Sequence, residues 1–221
     1  MKTFLLVAAE RRELEGFLRK IGKSSPMRWP GARFAREAEW RGDRWWFIAN
    51  GPGPRNIDHA LTHTKKVDAM ISTGLCGALD PSLKLGDIIV ASGAPVTERK
   101  FTQGRIVSQD RVAVTPDEKQ FLFKQTGGAL AVEMESVTVR DNAAQWNVPF
   151  QCIRVVSDTA SDTLPLDFNQ YRKPLGDFSR SKIAAAALTQ PFSVLPKLIR
   201  FERNCQQAAR ILGEFLADCR F

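Results

Sequence analysis

The feature that most constrains this chain is the alternation, along most of its length, of short apolar runs with longer amphipathic ones. Phe4 to Ala8 reads as a buried strand, and Glu10 to Ile21 as a helix with Leu14, Phe17, Leu18 and Ile21 on one face. Phe34 to Trp40 and Trp45 to Ile48 flank the turn residues Gly42-Asp43 as a hairpin. A helix over Ile57 to Lys66, a strand at Ala69 to Thr73 and another at Ile88 to Ala91 continue the pattern. A helix over Ser136 to Trp146 leads through Asn147-Val148-Pro149 into a late strand, Gln151 to Val156. Such alternation predicts a layered α/β fold with a largely parallel sheet.

Composition excludes several classes. With 221 residues, 43% hydrophobic and 25% charged, the chain is neither disordered nor collagen-like, and it can bury a core without a metal or disulfide. Cys76, Cys152, Cys205 and Cys219 are scattered, with no CxxC spacing, which suits reduced thiols in a cytoplasmic protein. No apolar run reaches the ~18 residues of a membrane span. Lys2 to Ala9 is similar to a short signal peptide, but Glu10-Arg11-Arg12-Glu13 ends the apolar stretch at once, so a buried first strand is expected.

The formal charge is +8, and much of the excess lies late: from Arg172 to Phe221 there are nine Lys or Arg against four acids. Within that stretch Leu198, Phe201, Cys205, Ala208, Ile211, Leu212, Phe215 and Leu216 recur at three- and four-residue intervals. This predicts an amphipathic helix at about 195–221, with Arg200, Arg203, Gln207 and Arg210 facing away. It docks on the core, or it meets an acidic membrane surface or a partner. The basic residues are dispersed, and nucleic acid is not the expected partner.

Three clusters lie where predicted strands end, the place where open α/β sheets hold ligands. In Ser72-Thr73-Gly74-Leu75-Cys76-Gly77-Ala78-Leu79, Gly74 and Gly77 let a ligand approach bare backbone, unless the run is an ordinary strand-to-loop turn. In Val132-Glu133-Met134-Glu135-Ser136, a carboxylate can accept two hydrogen bonds from a sugar diol while Met134 packs on the sugar's apolar face. Alternatively, both acids sit in a helix's first turn and favour its dipole. In Arg154-Val155-Val156-Ser157-Asp158, a strand delivers Ser157 and Asp158 to a loop. Partial burial there would raise the aspartate from its reference ~3.9 and make it a usable general acid, the alternative being a helix N-cap.

Together these clusters resemble the purine nucleoside phosphorylase and nucleosidase superfamily, most closely its methylthioadenosine/S-adenosylhomocysteine nucleosidase arm. The resemblance runs from Met1 to about Asp162 and rests on Thr73 to Val90, Val132-Glu133-Met134-Glu135, and Val148-Pro149-Phe150 leading into Arg154 to Asp158. It implies one nucleoside phosphorylase-like domain over residues 1–221, three-layered α/β/α around a mixed, twisted sheet, assembled as a homodimer or larger homo-oligomer. It implies cleavage of the N-glycosidic bond of a purine nucleoside, adenine foremost, with no cofactor and no metal. Asp158 matches the acid serving the purine, with Ser157 beside it. Glu135 matches the residue holding the ribose hydroxyls, Met134 the one packing on the ribose, and Glu133 their neighbour. Glu13 matches the glutamate that activates water, with Glu10 as the alternative.

The sequence also departs from that pattern. Ser72 stands where phosphorylases carry a phosphate-binding arginine, which favours water as nucleophile, although Arg11 and Arg12 lie near the first strand. Leu75 replaces a serine usual in the nucleosidases. Val112 replaces the aromatic of the segment, here Asp110 to Ala113, that holds the base by stacking and backbone hydrogen bonds. Between Pro95 and Gly104 the chain is shorter than the typical nucleosidases, which opens the 5′ side of the pocket. In its length, its Ser157 to Pro165 stretch and its terminal helix it is also similar to the short phosphorylase-like proteins of hopanoid biosynthesis, which remove adenine from adenosylhopane. A phosphorolytic enzyme of that kind is the alternative, and a non-catalytic nucleoside or nucleic-acid binder is the contrasting one.

Three further signals are discounted. His59 and His63 are spaced like two metal ligands on a helix, but no third ligand accompanies them. Gly51-Pro52-Gly53-Pro54 lacks the Lys-Ser/Thr ending of a phosphate loop. Trp40, Trp45 and Trp46 are expected as exposed edge-strand aromatics or a subunit interface.

Overall fold

The computed structural model describes residues 1–62, 66–173 and 176–221. Its first half comprises β1 (Thr3–Ala8), α1 (Arg11–Ile21), β2 (Ser25–Pro26), β3 (Phe34–Trp40), β4 (Asp43–Ala49), α2 (Pro54–Leu61), β5 (Ala69–Ala78) and β6 (Ile88–Ser92). The second half comprises β7 (Thr102–Gln103), β8 (Ile106–Ser108), α3 (Pro116–Gln125), β9 (Ala131–Glu133), α4 (Ser136–Gln145), β10 (Phe150–Asp158), α5 (Arg180–Thr189) and α6 (Leu195–Asp218), with a 3-10 turn at Phe168–Tyr171 before α5.

Among the described residues one twisted sheet runs in the order β2-β3-β4-β1-β5-β10-β6-β7, with β9 pairing to the end of β5 and β8 to β9. The four central strands β4, β1, β5 and β10 are mutually parallel, whereas β3 with β4, β6 with β10 and β9 with β5 are antiparallel. The sheet is therefore mixed, as the family resemblance implies, and parallel only at its centre.

Alternation along β1 creates the layers. Phe4 and Leu6 join one core with Phe17 of α1 and Leu212, Phe215 and Leu216 of α6, while Leu5 and Val7 join another with Ile57 and Leu61 of α2 and Val139 of α4. Successive side chains of a strand point to opposite faces, so a run of uninterrupted apolar residues demands helices on both. Each large apolar side chain so buried contributes about 1.5–3 kcal/mol. The terminal helix thus docks on the core through its C-terminal half.

Three local expectations are corrected. Trp45 and Trp46 are buried, on opposite faces of the sheet, because β4 is an interior strand between β3 and β1; Trp45 packs 4.7 Å from Phe4 and 5.2 Å from Phe17, and Trp46 5.8 Å from Trp29. Helix α2 begins at Pro54, which supplies a preset φ for a first turn, and ends at Leu61; His63 lies outside the described residues. The glycine run after Thr73 is not a loop: β5 continues to Ala78 because β10 pairs with it as far as Gly77.

Candidate active site

The extended β5 is what gathers the site. Gly74, at φ +150°, leaves room for Glu13 of α1: a Cβ at Gly74 would stand 2.7 Å from Glu13 Oε1. Glu13 is buried, its Oε1 accepting the Leu75 N–H at 2.9 Å and its Oε2 the Glu10 N–H at 2.7 Å. Burial pushes its carboxyl above the ordinary glutamate range, against these two hydrogen bonds. Gly77, three residues further along the strand and so about 10 Å away, meets Asp158: a Cβ there would stand 2.9 Å from Asp158 Oδ2.

Asp158 ends β10 just after a bulge between Val156 and Asp158, an irregularity that re-aims the side chains at the strand's end. Ser157 Oγ lies 2.8 Å from Asp158 Oδ1, with the Cys76 carbonyl 3.2 Å away. The other carboxylate oxygen, Oδ2, accepts a 2.7 Å hydrogen bond from Lys119 Nζ of α3, a side chain fully removed from solvent. Burial raises the Asp158 carboxyl above its usual value, opposed by Lys119 and Ser157.

Between these two acids lies the β9 to α4 junction. Glu135 is the residue before the first turn of α4, buried, with Oε1 accepting the Gly53 N–H at 2.7 Å from the glycine-proline turn. Burial first and the neighbouring Glu133 charge second push it up to about 8. Met134 is half-buried and faces the same space. Glu133 is saturated: Arg154 Nη2, the Glu135 and Ser136 N–H groups and Ser136 Oγ all donate to it. Burial would raise its carboxyl, but the Arg154 charge and the Ser136 hydroxyl outweigh this and hold it below the ordinary range. Arg154 is itself buried and also donates to Ser72 Oγ at 2.7 Å.

A family model matches the chain at residues 3–99 and 94–189 and is that of the Phosphorylase superfamily. The chain belongs to this superfamily. A 5'-methylthioadenosine/S-adenosylhomocysteine nucleosidase of Staphylococcus aureus is 29% identical over 150 residues, 50% of this chain and 65% of that protein. The chain thus matches a little under two thirds of the length of such curated relatives. A futalosine hydrolase mutant of Helicobacter pylori has the same fold, with a TM-score of 0.72 at 16% identity over 99% of this chain and 98% of that one. So does the methylthioadenosine/S-adenosylhomocysteine nucleosidase of Neisseria meningitidis in complex with methylthio-immucillin-A, with a TM-score of 0.71 at 21% identity over 99% of this chain and 98% of that one.

In this member of the superfamily Glu13, Gly77, Val112, Glu133, Met134, Glu135, Ser157 and Asp158 line one cavity of about 1700 Å³, larger than the roughly 300–1,000 Å³ of a typical small-ligand site. Gly74 acts from beneath Glu13. The fold brings Glu133 to the cavity edge with its carboxylate already spent on Arg154, so it is poorly placed to take a ligand hydroxyl. Glu10 borders the cavity too, but pairs with Arg12. The arginines near the first strand are engaged as well: Arg11 with Glu15 at 2.8 Å, and Arg12 with Glu10 at 2.8 Å and Glu202 at 2.7 Å.

Two residues of the site had no signal in the sequence. Lys119 sits in a helix of weak amphipathicity, where lysine is ordinarily a surface residue. Asn169 of the 3-10 turn engages both backbone groups of Val112, accepting its N–H at 2.9 Å and donating to its C=O at 2.9 Å. Both depend on contacts across more than 35 residues, which no local pattern encodes. Among the described residues no group of three His, Cys, Asp or Glu is arranged to hold a metal, and no helix is long and apolar enough to cross a membrane.

Proposed function

We propose that the chain hydrolyses the N-glycosidic bond of a 5′-substituted purine nucleoside, adenine being the base released, through a single nucleoside phosphorylase-like domain. The observation that carries this reading is the pair of buried carboxyls, Glu13 and Asp158, brought to one cavity at two glycines of the same strand. Asp158 gives a proton to the purine ring as the bond to the sugar breaks and its electron pair passes to the base. Water adds to the sugar carbon on the opposite face, and Glu13 takes the water's proton. Glu13 then releases that proton to solvent, and Asp158 regains one. Glu135, with one oxygen anchored by Gly53, offers the other to the ribose hydroxyls while Met134 packs on the ring. Holding water and sugar in fixed array lowers the entropic cost of the step. Ser72 standing where the phosphorylases carry an arginine, with Arg12 paired to Glu10 and Glu202, supports water as the nucleophile. Adenine release from 5′-methylthioadenosine and adenosine, followed by chromatography with and without phosphate, tests this. Release independent of phosphate and lost in Asp158→Asn is expected; release that requires phosphate would move the chain to the phosphorylases.

One observation favours a second reading of the substituent. The cavity continues outward between apolar walls, Phe168, Phe178, Ile183, Leu198, Ile199 and Phe201, which suits a bulky apolar 5′ group such as that of adenosylhopane. At the end of α5 Leu188 is 69% exposed, between α5 and α6 Phe192 is 96% exposed, and residues 178–201 carry four cations and no acid. A cytoplasmic enzyme meeting an anionic membrane through this segment fits both features. Faster turnover of an adenosine bearing a long apolar 5′ chain than of methylthioadenosine, and co-sedimentation with phosphatidylglycerol vesicles, would support it. A homodimer or larger homo-oligomer, expected from the family resemblance, is tested by light scattering.

A further inference from the structure

The Lys119 side chain is unusual for a lysine: it is wholly buried, and it has three acceptors for its three N–H donors. These are Asp158 Oδ2 at 2.7 Å, the Thr159 carbonyl at 2.7 Å and the Asp162 carbonyl at 3.1 Å. The turn it holds is closed on itself by Asp162, whose Oδ2 accepts from the Thr159 N–H at 2.8 Å and from Thr159 Oγ1 at 2.7 Å. The start of α3 is fixed in turn, because Thr115 and Glu118 form a reciprocal capping box at its N-terminus. A buried lysine at this cost is far from what an exposed helix needs, and its one carboxylate partner is the acid at the cavity.

We propose that Lys119 is a positioning residue for the reaction: from α3 it seats the Asp158 carboxyl and the Thr159 to Asp162 turn against the cavity, and its charge governs the protonation of that carboxyl. The inference rests on the reading of Asp158 as the acid that serves the base. With Ser157 on Oδ1 and Lys119 on Oδ2, both oxygens are held by donors, so the carboxyl has one orientation towards the cavity. Lys119 does not touch the substrate in this scheme and acts through Asp158 alone. The other titratable groups facing Asp158 are Asp162 in the turn, Cys76 of β5 and Cys205 of α6. Burial raises both thiols, Cys205 up to about 12, so that neither supplies charge near neutral pH. Asp162 is the anion that opposes Lys119.

The test is a carboxyl 13C NMR titration of aspartate-labelled protein, with the Asp158 signal assigned by its loss in Asp158→Asn, alongside the pH profile of adenine release. Removing a contacting cation favours the neutral acid. In Lys119→Met and Lys119→Gln, measured on whichever keeps a cooperative melt, the Asp158 midpoint is expected to rise by about one unit or more. The limb of the activity profile that belongs to Asp158 is expected to move the same way, and Lys119→Arg to return both towards wild type. An unmoved midpoint with an inactive Asp158→Asn would overturn the role of Lys119 and leave the acid in place. A moved midpoint with full activity in Asp158→Asn would overturn the acid itself and the positioning role with it.

Discussion

The floor and the roof of the cavity are built on opposite principles. The floor, where β5, β9 and β10 meet, is a set of buried charges with their partners: Glu13 on two backbone N–H groups, Glu133 on Arg154 and Ser136, Asp158 on Lys119 and Ser157. The roof, the 3-10 turn with α5 and the first turns of α6, is apolar within and half-exposed without, and its last residues, Leu188 and Phe192, face solvent. Buried charges are costly unless every one is met, so the floor tolerates little change and holds its geometry. A surface of apolar and cationic side chains carries no such constraint and is free to suit whatever the 5′ side must meet. Under the proposed function, the difference assigns the chemistry to the floor and the selectivity to the roof.

The contrast can be broken most directly at Asp158. Asp158→Asn should lower purine release by about 10²- to 10⁴-fold and, because it strands the buried Lys119 charge, should also lower the melting temperature; a chromatographic rate on the folded protein and a thermal melt separate the two, and an unchanged rate would end the floor's claim to the chemistry. Next in size, Glu133→Gln should destabilise the protein by about 3–5 kcal/mol, because it strands the Arg154 charge in the core. Denaturant unfolding measures this, and a change under 1 kcal/mol would mean that the floor is less tightly coupled than its hydrogen bonds imply.

A third effect comes from pH. Glu135 sits near 4.5 when unfolded and about 8 when folded, so the folded state holds the proton more tightly. Its contribution is fully present below the unfolded value and is lost as pH rises through about 8. The melting temperature should therefore fall across roughly pH 5 to 8, and Glu135→Gln should flatten that fall. Equal slopes in the two proteins would remove Glu135 as the cause. The smallest effects belong to the roof: Phe192→Ser and Leu188→Ser should change stability by no more than about 0.5 kcal/mol and leave turnover of a small nucleoside as it was, while reducing vesicle binding. Loss of small-substrate turnover would join roof to floor.

Much of the floor was legible because its residues fall in short, continuous motifs. The Val132 to Glu135 and Arg154 to Asp158 runs carry residue types that need no partner to be noticed. What those motifs hid was their division of labour. Glu133 and Glu135 look alike in sequence, yet one pairs with Arg154 and the other takes a glycine N–H, because β9 ends at Glu133 and Glu135 already stands at the start of α4. The glycine run lies beyond the strand that the sequence predicts at Ala69 to Thr73, since isolated glycines weaken a strand. Pairing with β10 and β9 overrides that preference and turns Gly74 and Gly77 into the gaps that admit two carboxyls. Trp45 and Trp46 are a parallel case, since nothing local distinguishes an edge strand from an interior one.

By itself, then, the sequence determined the layers and the family: apolar periodicity decides which elements form, and contiguous motifs decide which relatives a chain resembles. Only the tertiary structure decided which acids are charged, which are paired and which face empty space. Those properties depend on distances to residues remote along the chain, Lys119 to Asp158 and Arg154 to Glu133 above all, and on burial, which a chain acquires only when its strands have found their neighbours.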